Sequence, residues 1–215
     1  PRTFSSAASD VYKRQTIGIA LLFGLLSAQT HVQLHYDTER GHYTSTLEMF
    51  KPDDLGSNFF FVDFDYEEGR PTSAAYWEIA RMFNVKNIGL GVQYNGGLNT
   101  FGSYEPSWLA GAEYPINLGI GTLVSSAWVR HTHLYGYGWQ LTGVWYEQLS
   151  DKISFTGFAD IWNDGDLVVW MTEPQIWYSF GQLAVGGEVE ISQNFVWGAG
   201  EDIQVMPTLG VKWEF

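Results

Sequence analysis

A chain of 215 residues is long enough for one domain with a substantial core or for one medium-sized barrel. Its formal net charge of −13 weighs against nucleic acid as a partner, because phosphate binding requires clustered Lys and Arg. Cysteine is absent, which excludes a disulfide framework and a thiolate metal site. Aromatic residues make up 17% of the chain, with 10 Trp, 12 Tyr and 14 Phe, and this suits membrane-interface girdles better than an ordinary globular core. The 24 glycines suit tight turns and a crowded barrel interior.

The segment Asp10 to Gln15 looks like the translation of a transposon end used in sequencing-library preparation, so residues 1–15 are read as an assembly artefact and set aside. Residues 16–26, TIGIALLFGLL, carry no charge but are too few to span a bilayer as a helix, which takes about 20 residues. Followed by Leu26-Ser27-Ala28, they read as the apolar part of a secretory signal over residues 16–28, with cleavage after Ala28; the alternative is a buried N-terminal helix. Without Arg2, Asp10, Lys13 and Arg14 the remainder, residues 29–215, is more acidic still. It contains no apolar run long enough for a transmembrane helix.

From His31 onward, apolar and polar residues alternate with period two between turn signals. Val32, Leu34 and Tyr36 oppose Gln33, His35 and Asp37. Phe60, Val62, Phe64 and Tyr66 oppose Asp63 and Asp65, and Ile88, Leu90, Val92 and Tyr94 oppose Gly89, Gly91, Gln93 and Asn95. Val185, Val189 and Ile191 oppose Glu188, Glu190 and Ser192, and the final run sets Val205 to Phe215 against Gln204, Thr208, Lys212 and Glu214. Twelve strands are expected near 31–38, 43–50, 58–66, 73–83, 88–95, 108–114, 120–132, 138–147, 153–162, 168–179, 183–195 and 203–215. An even number of such segments is what bacterial single-chain membrane barrels use. With both termini periplasmic, the outer loops fall at 39–42, 67–72, 96–107, 133–137, 163–167 and 196–202, and the inner turns are short except KPDDLGS at 51–57.

Aromatics near strand ends (Tyr36, Tyr66, Tyr94, Tyr114, Trp213) and a chain ending on Phe215 favour apolar faces turned to lipid. The expectation is therefore an all-β, twelve-stranded antiparallel transmembrane barrel in the outer membrane of a Gram-negative bacterium, with membrane lipid and a small polar solute as partners. A terminal Phe such as Phe215 also resembles the signal read by the barrel assembly machinery.

GSNFFFVDFDY (Gly56 to Tyr66), TEPQIWY (Thr172 to Tyr178), GGEVEISQNF (Gly186 to Phe195) and MPTLGVKWEF (Met206 to Phe215) resemble the nucleoside-specific channel-forming outer-membrane proteins of the Tsx type, closest to an uncharacterised exported branch of that family. The resemblance covers most of residues 31–215. It implies a monomeric twelve-stranded barrel with a narrow pore in which aromatic rings and ionisable groups bind nucleosides.

Asp63, Asp65, Glu78, Glu113, Asp160, Glu173, Glu188 and Glu190 fall on expected inward faces, and Glu173-Pro174-Gln175 reads as a strand irregularity aiming Glu173 and Gln175 inward. These carboxylates suit a cation-preferring or hydroxyl-binding constriction, or else a structural network with Arg81, Arg130 and Lys212. Phe61, Trp77, Phe158, Trp162 and Trp177 offer a stacking slot for a planar base, or simply fill a small lumen. His131 and His133 have the spacing of two metal ligands but no third, and Asp164-Gly165-Asp166 reads as a tight turn rather than a calcium loop. No motif calls for a cofactor. Passive uptake of small polar solutes is the leading function, with nucleosides as the family's implication and no enzymatic activity. A closed structural or adhesive barrel, and a lipid-modifying enzyme built on His131, His133 and Ser125 or Ser126, are the alternatives.

Overall fold

The computed structural model describes residues 29–67, 72–119, 121–196 and 199–215. The expected artefact and signal segments therefore lie outside the described residues. Thirteen strands follow in order: β1 (Gln29–Asp37), β2 (Tyr43–Asp53), β3 (Gly56–Tyr66), β4 (Ala74–Val85), β5 (Ile88–Asn99), β6 (Gly102–Ser103), β7 (Ser107–Asn117), β8 (Thr122–Thr132), β9 (Gly136–Gln148), β10 (Ile153–Asp164), β11 (Leu167–Phe180), β12 (Leu183–Gln193) and β13 (Gln204–Glu214). The two-residue β6 folds back on β5 within a loop. The other twelve are the expected strands, each paired antiparallel with its neighbours.

The sheet closes where β1 pairs with β13, from His31 opposite Glu214 to Asp37 opposite Thr208. The seam is sealed by Phe215, whose backbone N–H donates to the Thr30 carbonyl at 3.0 Å. Closure gives each of the twelve barrel strands a partner on both sides, which a hydrocarbon environment requires. The result is a closed twelve-stranded antiparallel β-barrel.

The two faces separate as the alternation requires. Leu34 is 43% exposed, while Gln33 and His35 beside it are 4% and 2% exposed. Acids that share the face of Gln33 are therefore inside, and the apolar residues form an outer belt. Aromatics rim the belt at both ends: Tyr36, Tyr43, Trp108, Tyr137 and Trp139 toward the loops, and Tyr114, Tyr178, Phe180, Trp213 and Phe215 toward the turns.

The turns are tighter than expected. KPDDLGS is not a long turn: β2 runs on through Asp53 and β3 begins at Gly56, leaving Asp54 and Leu55 between them. Asp53 Oδ1 accepts the Leu55 N–H at 2.9 Å, and Gly56 lies so close to β4 that a Cβ there would meet the Met82 carbonyl oxygen at 2.0 Å. Asp164-Gly165-Asp166 is the tight turn expected, with Gly165 at φ 64°. Pro174 shifts no register, because Thr172 pairs with Ile191 and Gln175 with Glu188 in the same alignment, but the pairing with β12 lapses at Glu173 and Pro174. The irregularity expected there is this two-residue gap in the ladder, without a bulge.

A charge introduced mid-strand on the outer face should be costly. Leu141→Arg is expected to destabilise the barrel by about 2–4 kcal/mol, and Leu183→Arg, beside a turn, by no more than about 1 kcal/mol. Urea unfolding in lipid vesicles measures both.

Candidate functional site

Inward residues of neighbouring strands align in cross-strand rows around the lumen. One row runs His31, Glu48, Phe61, Glu78 and Asn95 across β1 to β5; the next runs Gln33, Thr46, Asp63 and Tyr76 across β1 to β4. Neutral donors surround these carboxylates. Glu78 accepts the Tyr76 hydroxyl at 2.7 Å, Asn95 Nδ2 at 2.9 Å and Gln93 Nε2 at 2.8 Å. Asp63 accepts the Thr46 hydroxyl and Asp65 the Thr44 hydroxyl, the latter at 2.7 Å.

The facing wall supplies a second set. Asp160 is hydrogen-bonded by Thr142 and Gln140, but its Oδ1 is buried without a partner. Glu188 accepts Gln175 Nε2 at 2.7 Å and lies 3.6 Å from His35 Nδ1. Glu78 lies within electrostatic reach of Asp160 and Asp63, and Glu173 within reach of Glu188, Glu190 and Asp63. Carboxylates from β3 and β4 are thus within electrostatic reach of carboxylates from β10 to β12.

Among the described residues, three inward cations face them. Arg40, in the loop after β1, turns in to Asp37 and to Glu190, the latter at 3.2 Å. Arg130 pairs with Asp164, and Lys212 lies 3.7 Å from Glu214 and 4.8 Å over the Trp177 ring. Arg81 does not join them. It stands on the outer face and pairs with Asp53 at 2.6 Å, because it shares the parity of Ile79 and Phe83. Trp77 is on the outer face for the same reason, opposite Val62 and Gly96.

Of the carboxylates singled out from sequence, Asp63, Glu78, Asp160, Glu173 and Glu188 come together. Asp65 sits nearer the loops with His42 at 3.8 Å, and Glu190 is engaged by Arg40 and by Ser192 at 3.0 Å. Glu113 is inward but apart, toward the turn end over Gly89. Phe61 lies in an aromatic row with Phe59 and Tyr76, each 5.9 Å away between ring centroids. Trp177 is fully buried at 0% exposure. It lies against Gly210, where a Cβ would meet its ring at 3.1 Å, and its Nε1 donates to Gln175 Oε1 at 3.0 Å. With Lys212 over its face, Trp177 is wall, not an open stacking surface.

Sequence reasoning missed Glu48, Tyr76, Arg40 and the hydrogen-bonded line from His31 through Gln33 to His35, with 2.9 Å at each step. Glu48 and Tyr76 could have been found by parity alone, since they alternate in step with Thr46 and Glu78. Nothing local marks Arg40, whose partner Glu190 is 150 positions away. His131 is on the outer face, 4.6 Å from the Tyr137 ring, and Ser125 is six residues down the same strand, about 20 Å away. Ser126 has the opposite parity, so these residues do not assemble into a nucleophile system. Among the described residues, no three His, Asp or Glu side chains are grouped to hold a metal ion.

Residues 28–215 match the family described as a domain of unknown function (DUF5020). The chain belongs to the DUF5020 family. No curated protein matches. Among solved structures, a KdgM porin in complex with disordered oligogalacturonate aligns at 8% identity over 87% of this chain and 99% of that one, with a TM-score of 0.55. A second KdgM porin structure aligns at 9% identity with the same coverages and TM-score. Acinetobacter baumannii Omp33 gives 11% identity over 88% and 98% of the two chains, with a TM-score of 0.48. At these identities the likeness to the KdgM porins is one of fold. A closed porin-type barrel with a lipid-facing apolar belt places this DUF5020 protein in the bacterial outer membrane.

Trp177→Ala removes a large buried ring from the lumen wall and is expected to cost about 3–5 kcal/mol of stability. Urea titration of the folded barrel in vesicles, compared with wild type, measures the loss.

Proposed function

We propose that this barrel is a channel for the passive uptake of small polar solutes that are neutral or cationic. The observation that carries the reading is the meeting of Asp63 and Glu78 with Asp160, Glu173 and Glu188 across the lumen. Arg40, Arg130 and Lys212 are each engaged by another acid, so the acidic side chains of that group outnumber the basic ones turned toward it. Rings of acidic side chains raise the local concentration of cations and repel anions. Carboxylates and amides also accept from hydroxyls and ring N–H groups. Beside them the row Phe59, Phe61 and Tyr76 offers apolar faces to a ring-bearing solute.

Nucleosides, which combine hydroxyls with a planar base, are the finer candidate. They are supported by the resemblance to the Tsx type and by this pairing of acids with aromatics. An acidic polysaccharide such as the oligogalacturonate of the KdgM complex fits poorly, because its own carboxylates would face those of the lumen.

A second reading, a closed structural or adhesive barrel, is favoured by the inward apolar cluster Met82, Leu109 and Trp128, which packs over Gly91 and Gly111. Planar-bilayer recording separates the two. The channel reading expects single-channel steps, a reversal potential showing preference for K⁺ over Cl⁻, and partial block by nucleosides but not by oligogalacturonate. Glu78→Gln combined with Asp63→Asn should reduce the cation preference several-fold without abolishing conductance. A folded protein that never conducts supports the closed barrel instead.

A further inference from the structure

The lumen is not the only concave surface. On the lipid face of β2 to β5 a groove of about 580 Å³ runs between Phe60, Ile79, Val92 and Tyr94, with Lys51 and Arg81 among its lining residues. Lys51 is opposite Asn58, and Asn58 is opposite Arg81, so the three form one row across β2, β3 and β4. Strand spacing of about 4.8 Å sets the two cations roughly 10 Å apart at Cα. Arg81 is held by Asp53 through two hydrogen bonds, at 2.6 and 2.9 Å, and Asn58 Nδ2 donates to the same carboxylate at 3.2 Å. Arg81 is thus already engaged, and Lys51 is the cation of the row left to meet a headgroup.

The row is two residues from the end of β2, at the turn end of the barrel, which the girdle of Tyr114, Tyr178 and Trp213 marks as the interface side of that leaflet. There a lipid-facing Lys costs little, and an anionic lipid phosphate attracts it. Away from the row the groove is walled by apolar and aromatic side chains and lies at the depth of the acyl chains. An extended peptide could not satisfy its backbone at that depth, whereas a hydrocarbon chain has nothing to satisfy.

We infer that this groove seats one anionic glycerophospholipid, with its phosphate at Lys51 and one acyl chain along Phe60, Ile79 and Val92. The inference is independent of what passes through the lumen. It is tested by reconstituting the full barrel in equal parts phosphatidylglycerol and phosphatidylcholine and counting the lipids retained by native mass spectrometry. Wild type should retain one phosphatidylglycerol in preference to phosphatidylcholine. Lys51→Gln should reduce that preference about fivefold, the worth of one basic residue near a membrane surface. Asp53→Asn keeps the acceptor for the Leu55 N–H but releases the Arg81 charge, and should raise the preference. Ile79→Trp fills the groove and should lower retention of either lipid. Each variant is first shown to be folded by its heat-shifted gel mobility. Equal retention of the two lipids by wild type, an unchanged preference in Lys51→Gln, or a second copy of the chain in place of the lipid would overturn it.

Discussion

Every backbone N–H and C=O in a bilayer must find its partner within the protein, and the rest of this structure follows from that requirement. A sheet meets it only by closing, and here the closure is the ladder between β1 and β13. Once the sheet is closed, each strand has one lipid-facing and one lumen-facing side, and side chains alternate between them without exception. The carboxylates of β3, β4 and β10 to β12 are therefore inside because Phe60, Ile79 and Ile176 are outside. Their convergence is a consequence of register, not of any local motif.

The interior is shaped by a second rule, that bulk lies over glycine. Trp177 covers Gly210, Trp128 lies against Gly111, and Met82 presses on Gly91. Each large side chain occupies the space a neighbouring Cβ would have taken, so the wall stays thin on one strand where it is thick on the next. The apolar cluster Met82, Leu109 and Trp128 occupies the β4 to β8 side. Most of the inward acids lie on β2, β3 and β10 to β12, with Glu78 and Glu113 on β4 and β7 beside the cluster, and Arg40 is drawn inward between Asp37 and Glu190. The loop that carries Arg40 is further pinned by Thr38, whose backbone N–H and hydroxyl both donate to the Pro207 carbonyl. Loop and lumen are thus one hydrogen-bonded unit on this side.

Period two made the twelve strands and nearly all of their faces legible, because each alternation spans enough residues to fix its own phase. The errors came where that rule was not applied strictly. Trp77 and Arg81 cannot share a face with Glu78 on one regular strand, and the outward position of both follows from parity alone. The turn at 51–57 was misjudged because Pro52 and Asp53 read as loop residues, although an edge of the ladder tolerates both. Contacts such as Arg40 with Glu190, or Glu78 facing Asp160, could not be read. They depend on how far the sheet is sheared as it closes, and no single strand encodes that quantity.

The match to KdgM porins at 8–9% identity shows how little a barrel of this kind constrains its interior. Lipid requires the outer face to be apolar and closure requires the ladder to be complete, and both demands are met by residues that never touch the lumen. The inward positions are left to vary in charge, size and hydrogen-bonding capacity without endangering the scaffold. Two barrels can therefore share this fold and still differ in what lines the lumen. In this chain the inward positions hold Asp63, Glu78, Asp160, Glu173 and Glu188, which the scaffold positions but does not dictate.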